Sequence, residues 1–351
     1  MRPNFFHHIH PPSIPARQSR WRYTLGAGGT AVFLVLVLII TGSLEMFYYI
    51  PTTREAATSI QTIAYLVPFG GFVRNLHFWA AQLLVVVCAV HLVRVVFTGA
   101  YAAPRRFNYL LGLALFVLAI LLDFTGYVLR WDTGIHWALV VGTNLLKTIP
   151  LLGNTLYVLL IGGQPAAVLE PALSQATLTR FYAWHLVGLM LPAAFLMGWH
   201  AFRVRRDGGI ALPPASLRTD NQRITRFELV RREVLAMLLS ASALILISIF
   251  APAPIGAPIK EIANLSGEAR APWFFLWVQQ MLKWGDPFVW GILVPLIVLA
   301  VLALIPYVFP KPAENELGRW FPKSNRLAQV VLALIALLVI ALTLFGSLAA
   351  S

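Results

Sequence analysis

Runs of twenty or more apolar residues recur along this chain, and few folds can hold them. In a helix rising about 1.5 Å per residue, each run crosses the roughly 30 Å of a bilayer's hydrocarbon core. The pattern predicts seven transmembrane helices, at about 25–50, 75–99, 108–128, 180–202, 229–251, 287–309 and 327–348. Pro51, Pro104, Pro252 and Pro310 punctuate several of their ends. Composition agrees, because only 12% of the residues are charged, against about a quarter in a soluble protein. The expected class is an all-α polytopic membrane protein. The first twenty residues hold Arg2, Arg17, Arg20 and three histidines but no short apolar stretch of their own, so no early cleavable signal is expected.

The charges test the count of spans. Four Lys or Arg residues lie before the first span, two between the second and third, eight from Arg203 to Arg232, and four between the sixth and seventh. Seven helices put these eighteen on one side and leave eight on the other, which predicts a cytoplasmic N-terminus. The net charge of +13 is therefore read as topology, since the basic residues form no single patch that would suggest nucleic acid. The polar segment 205–228, with Pro213, Pro214, Gly208 and Gly209 at or near its start, reads as a linker. It divides a four-helix unit, 1–204, from a three-helix unit, 229–351. The long outer loops, about 129–179 and 252–286, are apolar and aromatic enough to predict folded surface helices. The single cysteine, Cys88, excludes a disulfide framework and a cysteine-held cluster, and reads as helix packing.

Histidines interrupt two of the apolar runs in pairs. Ionisable groups inside a membrane helix are costly and usually functional. His77 and His91 are 14 residues apart and His185 and His200 are 15 apart. At about 100° per residue these offsets are roughly 40° and 60°, so each pair shares one face of its helix. Both helices run outside to inside, so His77 stands level with His185 and His91 with His200. Imidazoles on either side of a planar ring, once in each leaflet, are the ligand set for two bis-histidine haems, with all four histidines on iron. The bland alternative is a set of polar contacts between helices. His7, His8, His10 and His136 fall outside the spans and read as interfacial.

Glycines repeat the spacing. Gly28 and Gly42 in the first helix are 14 apart, as are Gly112 and Gly126 in the third, though Gly26 and Gly29 crowd the first pair. Glycine lets a flat ligand or a neighbouring backbone come close, and ordinary small-residue packing is the other reading. Arg74, Arg94 and Arg180 flank the histidines, where they can pair with haem carboxylates or simply extend toward the interface.

With these residues in view, "RNLHFWAAQLLVVVCAVHLVRVVFTGAY", "DFTGYVLRWDTGIHWA" and "TLTRFYAWHLVGLMLPAAFLMGWH" resemble cytochrome b of quinol-oxidising cytochrome bc complexes. The 15-residue spacing and seven helices are more similar to the b6f type, with its four-helix cytochrome and three-helix subunit IV fused into one chain. The resemblance implies two haems b and an outer quinol site between the segments holding Tyr127 and Gly142 and the turn Pro272-Trp273-Phe274. It also implies an inner quinone site with Arg205 as its cation. Its expected partners are a Rieske iron–sulfur protein, a c-type cytochrome or equivalent acceptor, and a second copy in a homodimeric complex of a bacterial cytoplasmic membrane. The implied activity is proton-translocating quinol oxidation; the menaquinone or ubiquinone type is left open.

Three departures follow from the same resemblance. The family's outer-site Pro-Glu-Trp-Tyr reads Ala271-Pro272-Trp273-Phe274 here, so the acid is replaced by Pro272. Glu268, His136 and Asp132 are the expected substitutes as general base. Gly26 stands where the b6f type carries a haem-attaching cysteine, so no covalent haem is expected on this chain. Leu129-Arg130-Trp131 also differs from the usual Leu-Pro-Trp. The altered turn supports a second reading, a di-haem electron conduit between the quinone pool and a different redox enzyme, without bifurcation.

Overall fold

A computed structural model describes residues 4–162, 174–217, 221–259 and 270–348. Among the described residues, seven helices are long and apolar enough to cross a membrane: Ala27–Glu45, Gly70–Phe97, Arg106–Leu129, Gln175–Arg206, Arg226–Phe250, Val289–Val308 and Lys323–Leu348. Helices are the natural outcome, because hydrocarbon offers backbone N–H and C=O groups no partners except each other. Their outward faces carry exposed Leu, Ile and Phe, such as Phe250, Leu296 and Leu338, a surface suited to lipid.

Several boundaries differ from the expected ones. The first span stops at Glu45, and the residues after it turn to form a further helix, Ala56–Tyr65, packed on the second span. This element escaped a search for long apolar runs because it is short and half polar. The second span starts at Gly70, earlier than 75, where Phe69 adopts a left-handed conformation to change the chain's direction. The fourth extends from Gln175, where the Ser174 side chain accepts from the Thr177 N–H. The fifth starts after Thr225, which caps the Glu228 N–H in the same way.

The first span packs along the second and the third against the fourth, with the second and third also in contact. Outside this four-helix bundle, the fifth span lies on the first and second, the sixth on the third, and the seventh on the second. One end gathers the N-terminal segment, the 98–105 turn, the 207–217 and 221–225 segments and the 309–325 loop. There Ser13–Pro15 pairs antiparallel with Arg223–Thr225, Arg205 Nε donates to the Ile9 carbonyl, and the Gly318 and Phe321 N–H groups donate to Thr98 and Phe97. The opposite end gathers the 46–69, 130–162 and 251–259 segments. Surface helices His136–Lys147 and Gly153–Ile161 pack there through Ile135, Leu139, Tyr157 and Ile161 onto Leu178 and Phe181 of the fourth span.

Candidate functional site

A cavity of about 900 Å³ runs through the bundle, lined by all four intramembrane histidines. The ring centres of His77 and His185 are 6.4 Å apart, and those of His91 and His200 6.5 Å. Two imidazole nitrogens on opposite sides of one metal, at bonds of about 2 Å, put the ring centres roughly 6 Å apart once the reach of each ring is added. Both pairs match that separation. The unequal spacings are reconciled by a π turn, Trp184–Leu189, which contains His185. Its i→i+5 hydrogen bonds take up one residue, so a 15-residue interval spans the same levels as a 14-residue one.

Hydrogen bonds set the tautomers. Thr41 Oγ1 donates to the Val37 carbonyl at 2.7 Å, so its contact of 2.9 Å with His77 Nδ1 has the imidazole as donor. Thr125 Oγ1 donates to Leu121 and accepts from His185 Nδ1 in the same manner, at 2.9 Å. The His200 Nδ1–H donates to the Asn108 carbonyl at 3.1 Å. With the proton on Nδ1, each Nε2 keeps a free lone pair for a metal. His91 Nδ1 is the exception, buried with no partner.

Each expected glycine lies against one histidine. A Cβ on Gly42 would stand 2.9 Å from His77 Cε1, on Gly126 3.0 Å from His185 Cε1, on Gly112 3.1 Å from His200 Cε1, and on Gly28 3.4 Å from His91 Cε1. Gly26 and Gly29 meet nothing within 4 Å, which separates them from Gly28.

These residues fit a haem at each level. Among the described residues no group of three or more His, Cys, Asp or Glu could hold a bare ion. Two imidazoles per level leave the remaining positions on a metal to a planar ligand, and the cavity between them leaves room for one. Arg94 lines the cavity; its Nε donates to the Tyr23 carbonyl, its guanidinium lies 4.3 Å from the Tyr23 ring centre, and its buried Nη2 has no partner among the described residues. That free donor suits a carboxylate. Arg74 also lines the cavity but spends Nη1 and Nη2 on the Ala253 and Pro254 carbonyls. The Arg180 guanidinium packs against Gly162 and is not among the residues that line the cavity.

The model for the sequence family described as Cytochrome b/b6/petB matches residues 14–208. This chain belongs to the cytochrome b/b6 family. Cytochrome b6 of Heliomicrobium gestii is 35% identical over 181 residues, 52% of this chain and 82% of that protein. The menaquinol:cytochrome c reductase cytochrome b subunit of Geobacillus thermodenitrificans is 36% identical over 184 residues, 52% of this chain and 78% of that one. Beyond the matched half, the fold is shared with a chain of a hyperthermophilic respiratory complex III. That superposition has a TM-score of 0.73 at 18% identity and covers 93% of this chain and 92% of the other.

At the His77/His185 end of this cytochrome b/b6 chain, Tyr127, Pro272, Trp273 and Phe274 line the cavity. The Tyr127 hydroxyl donates to the Gly134 carbonyl at 2.7 Å, and Gly142 faces Phe124. Asp132 forms a clasp. Its Oδ2 accepts from Arg130 Nε and Nη2 and from the Gly256 N–H, its Oδ1 accepts from the Gly134 N–H, and no oxygen is left free. Glu268 lies outside the described residues, as does the side chain of His136, which heads its surface helix.

Four residues were missed in the sequence. Asp123 is nine-tenths buried and Gln82 Nε2 donates to its Oδ1 at 2.9 Å; Gln82 Oε1 accepts in turn from Trp273 Nε1 at 2.5 Å. The cost of an ionisable group in an apolar run, which singled out the histidines, singles out Asp123 equally. At the other end His10 Nε2 meets Glu233 Oε2 at 2.7 Å, and both line the cavity with Arg205, whose Nη1 donates to Gln18. No sequence signal joined those two, which are 223 residues apart.

Proposed function

We propose that this chain is the cytochrome b subunit of a Rieske/cytochrome b quinol oxidoreductase, with a quinol-oxidising site at the His77/His185 end and a quinone-reducing site at the His91/His200 end. The observation that carries the reading is the pair of imidazole separations, 6.4 and 6.5 Å, at two levels of one cavity. His77 with His185, and His91 with His200, would hold one haem b each. When bound, the haems supply one-electron transfer between the two ends of the membrane.

The remaining roles belong to the protein. Arg94 Nη2 is placed to bind a haem carboxylate. Pro272, Trp273, Phe274 and Tyr127 shape the apolar pocket for a quinol ring. Arg205, His10 and Glu233 present a cation and a proton-sharing pair to a quinone at the opposite end. Quinol oxidation releases protons at one end and quinone reduction takes them up at the other, so the reaction moves charge across the membrane. The crowding of basic residues at the His91/His200 end supports a cytoplasmic N-terminus in a bacterial inner membrane. A Rieske protein and a c-type cytochrome are the proposed partners, in a homodimeric complex.

The test is a reduced-minus-oxidised spectrum of the purified complex, followed by quinol:cytochrome c reductase assay. Two b-type components are expected, one lost in His77→Ala and the other in His91→Ala. No b-type bands would overturn the proposal. Bands without quinol oxidation would favour the electron-conduit reading.

A further inference from the structure

Asp123 and Asp132 are both buried carboxylates, and the contrast between them is informative. Asp132 is paired with Arg130 and has every oxygen engaged. Asp123 sits inside a membrane span, and among the described residues no Lys or Arg pairs with it. Its Oδ1 has one neutral donor, Gln82 Nε2, while its Oδ2 is buried without a partner among the described residues. A carboxylate held for stability alone in a medium this apolar would be paired with a cation or replaced.

Its surroundings give it a place in the site. Asp123 is three residues before Gly126, which lies against His185, and two before Thr125, which bonds that histidine. At about 1.5 Å per residue it is roughly a turn deeper than the His77/His185 level. The carboxylate lines the common cavity, as do Trp273 and Pro272. Trp273 Nε1–H can only donate, so Gln82 must present Oε1 to it, which leaves Gln82 Nε2 to aim at Asp123. The turn that borders the pocket thus fixes the orientation of the carboxylate and leaves Oδ2 bare. Other titratable groups lining this part of the cavity are Glu45 and Tyr49 after the first span's core, Arg74 and His77 on the second, Tyr127 and Arg130 by the third, and Tyr182 and His185 on the fourth.

We propose that Asp123 is the proton acceptor of the quinol site, its Oδ2 taking a hydrogen bond and then a proton from a quinol hydroxyl. This rests on the quinol-oxidising function proposed above. The hydroxyl O–H bond breaks, its proton goes to Oδ2, and the carboxyl group releases it to the outer water after the quinone leaves. The second hydroxyl proton leaves toward the iron–sulfur partner. The two electrons depart singly, one to that partner and one to the quinone at the His91/His200 end, so quinol becomes quinone with both protons and both electrons accounted for. Gln82 and Trp273 are positioning residues.

The experiment compares wild type, Asp123→Asn and Asp123→Glu in the purified complex by b-haem spectrum, turnover against pH, and infrared difference spectra on quinol oxidation. Asp123→Asn is expected to keep its haem bands, lose about 100-fold or more in kcat, and lose a carboxyl C=O band that wild type shows and Asp123→Glu shows shifted. Asp123→Glu is expected to retain more turnover than Asp123→Asn, with its pH profile displaced. Wild-type kcat and pH profile in Asp123→Asn, or an infrared band unmoved in both variants, would overturn the assignment while leaving the quinol-oxidising function intact. If Asp123→Asn does not assemble, the shift of the band in Asp123→Glu decides. A wild-type complex with b-type bands and no quinol oxidation would remove the parent function and this assignment together.

Discussion

Gly42 and His77 are in contact so close that a methyl group on the glycine would stand 2.9 Å from the imidazole Cε1. The ring is also held on its Nδ1 side by Thr41, the neighbour of that glycine, so it has no direction in which to retreat without losing that bond. Overpacking of this kind costs about 1–3 kcal/mol. Gly42→Ala should lower haem content at its level most, Gly126→Ala and Gly112→Ala less, and Gly28→Ala least, following the distances 2.9, 3.0, 3.1 and 3.4 Å. Haem-to-protein ratios of the four variants check the order; equal content in Gly42→Ala and Gly28→Ala would contradict it.

Thr41→Val and Thr125→Val remove the acceptors that keep the proton on Nδ1 of His77 and His185. A buried donor left without a partner costs about 1–3 kcal/mol. Loss of a group that orients a metal-binding histidine typically weakens binding about 10- to 100-fold. Both variants should release haem from the His77/His185 level at lower denaturant than wild type, with the His91/His200 level unaffected. Spectral titration resolves the two levels, and simultaneous release would count against this account.

Asp132→Asn should act on stability. The clasp joins the end of the third span to the 256–258 segment through Arg130, Gly134 and Gly256, and both charged side chains are largely buried. Weakening a buried pair on one side costs on the order of 3 kcal/mol. The expected result is a lower unfolding midpoint with the pH profile of quinol oxidation unchanged in shape. A displaced profile in Asp132→Asn would restore it as a proton acceptor.

Glu233→Gln tests the opposite end. His10 and Glu233 are 2.7 Å apart beside Arg205, and a glutamine cannot share a proton with the imidazole. Reduction of quinone at the His91/His200 end should slow by about tenfold or more, while quinol oxidation measured with that end blocked stays at the wild-type rate. An unchanged rate of haem reoxidation by quinone would remove these residues from the inner site.

Cys88 is the chain's one cysteine and packs at mid-span on the second helix, among Leu34, Leu84 and Ala119. Haem staining of a denaturing gel should therefore show no covalent band at the mass of this chain, and Cys88→Ala should retain both b-type components. A stained band would show a thioether that the position of Gly26 argues against.

The sequence by itself determined the number and order of the spans, because an apolar run of bilayer length has one economical conformation, while their ends lie several residues from the expected ones. It also determined that His77 and His91 share one face of their helix, as do His185 and His200, and that Gly28/Gly42 and Gly112/Gly126 repeat the spacing, because helical periodicity is a property of a single segment. Only the tertiary structure decided which polar groups meet across segments. The π turn at Trp184–Leu189 made 15 residues equivalent to 14. Arg180 turned to Gly162 and away from the cavity, and Asp132 was spent on a clasp. Asp123 met Gln82, 41 residues away in sequence, and Gln82 met Trp273, 191 residues away. Such contacts depend on the directions of side chains from different helices and on which oxygen is left without a partner, and periodicity along one helix carries neither.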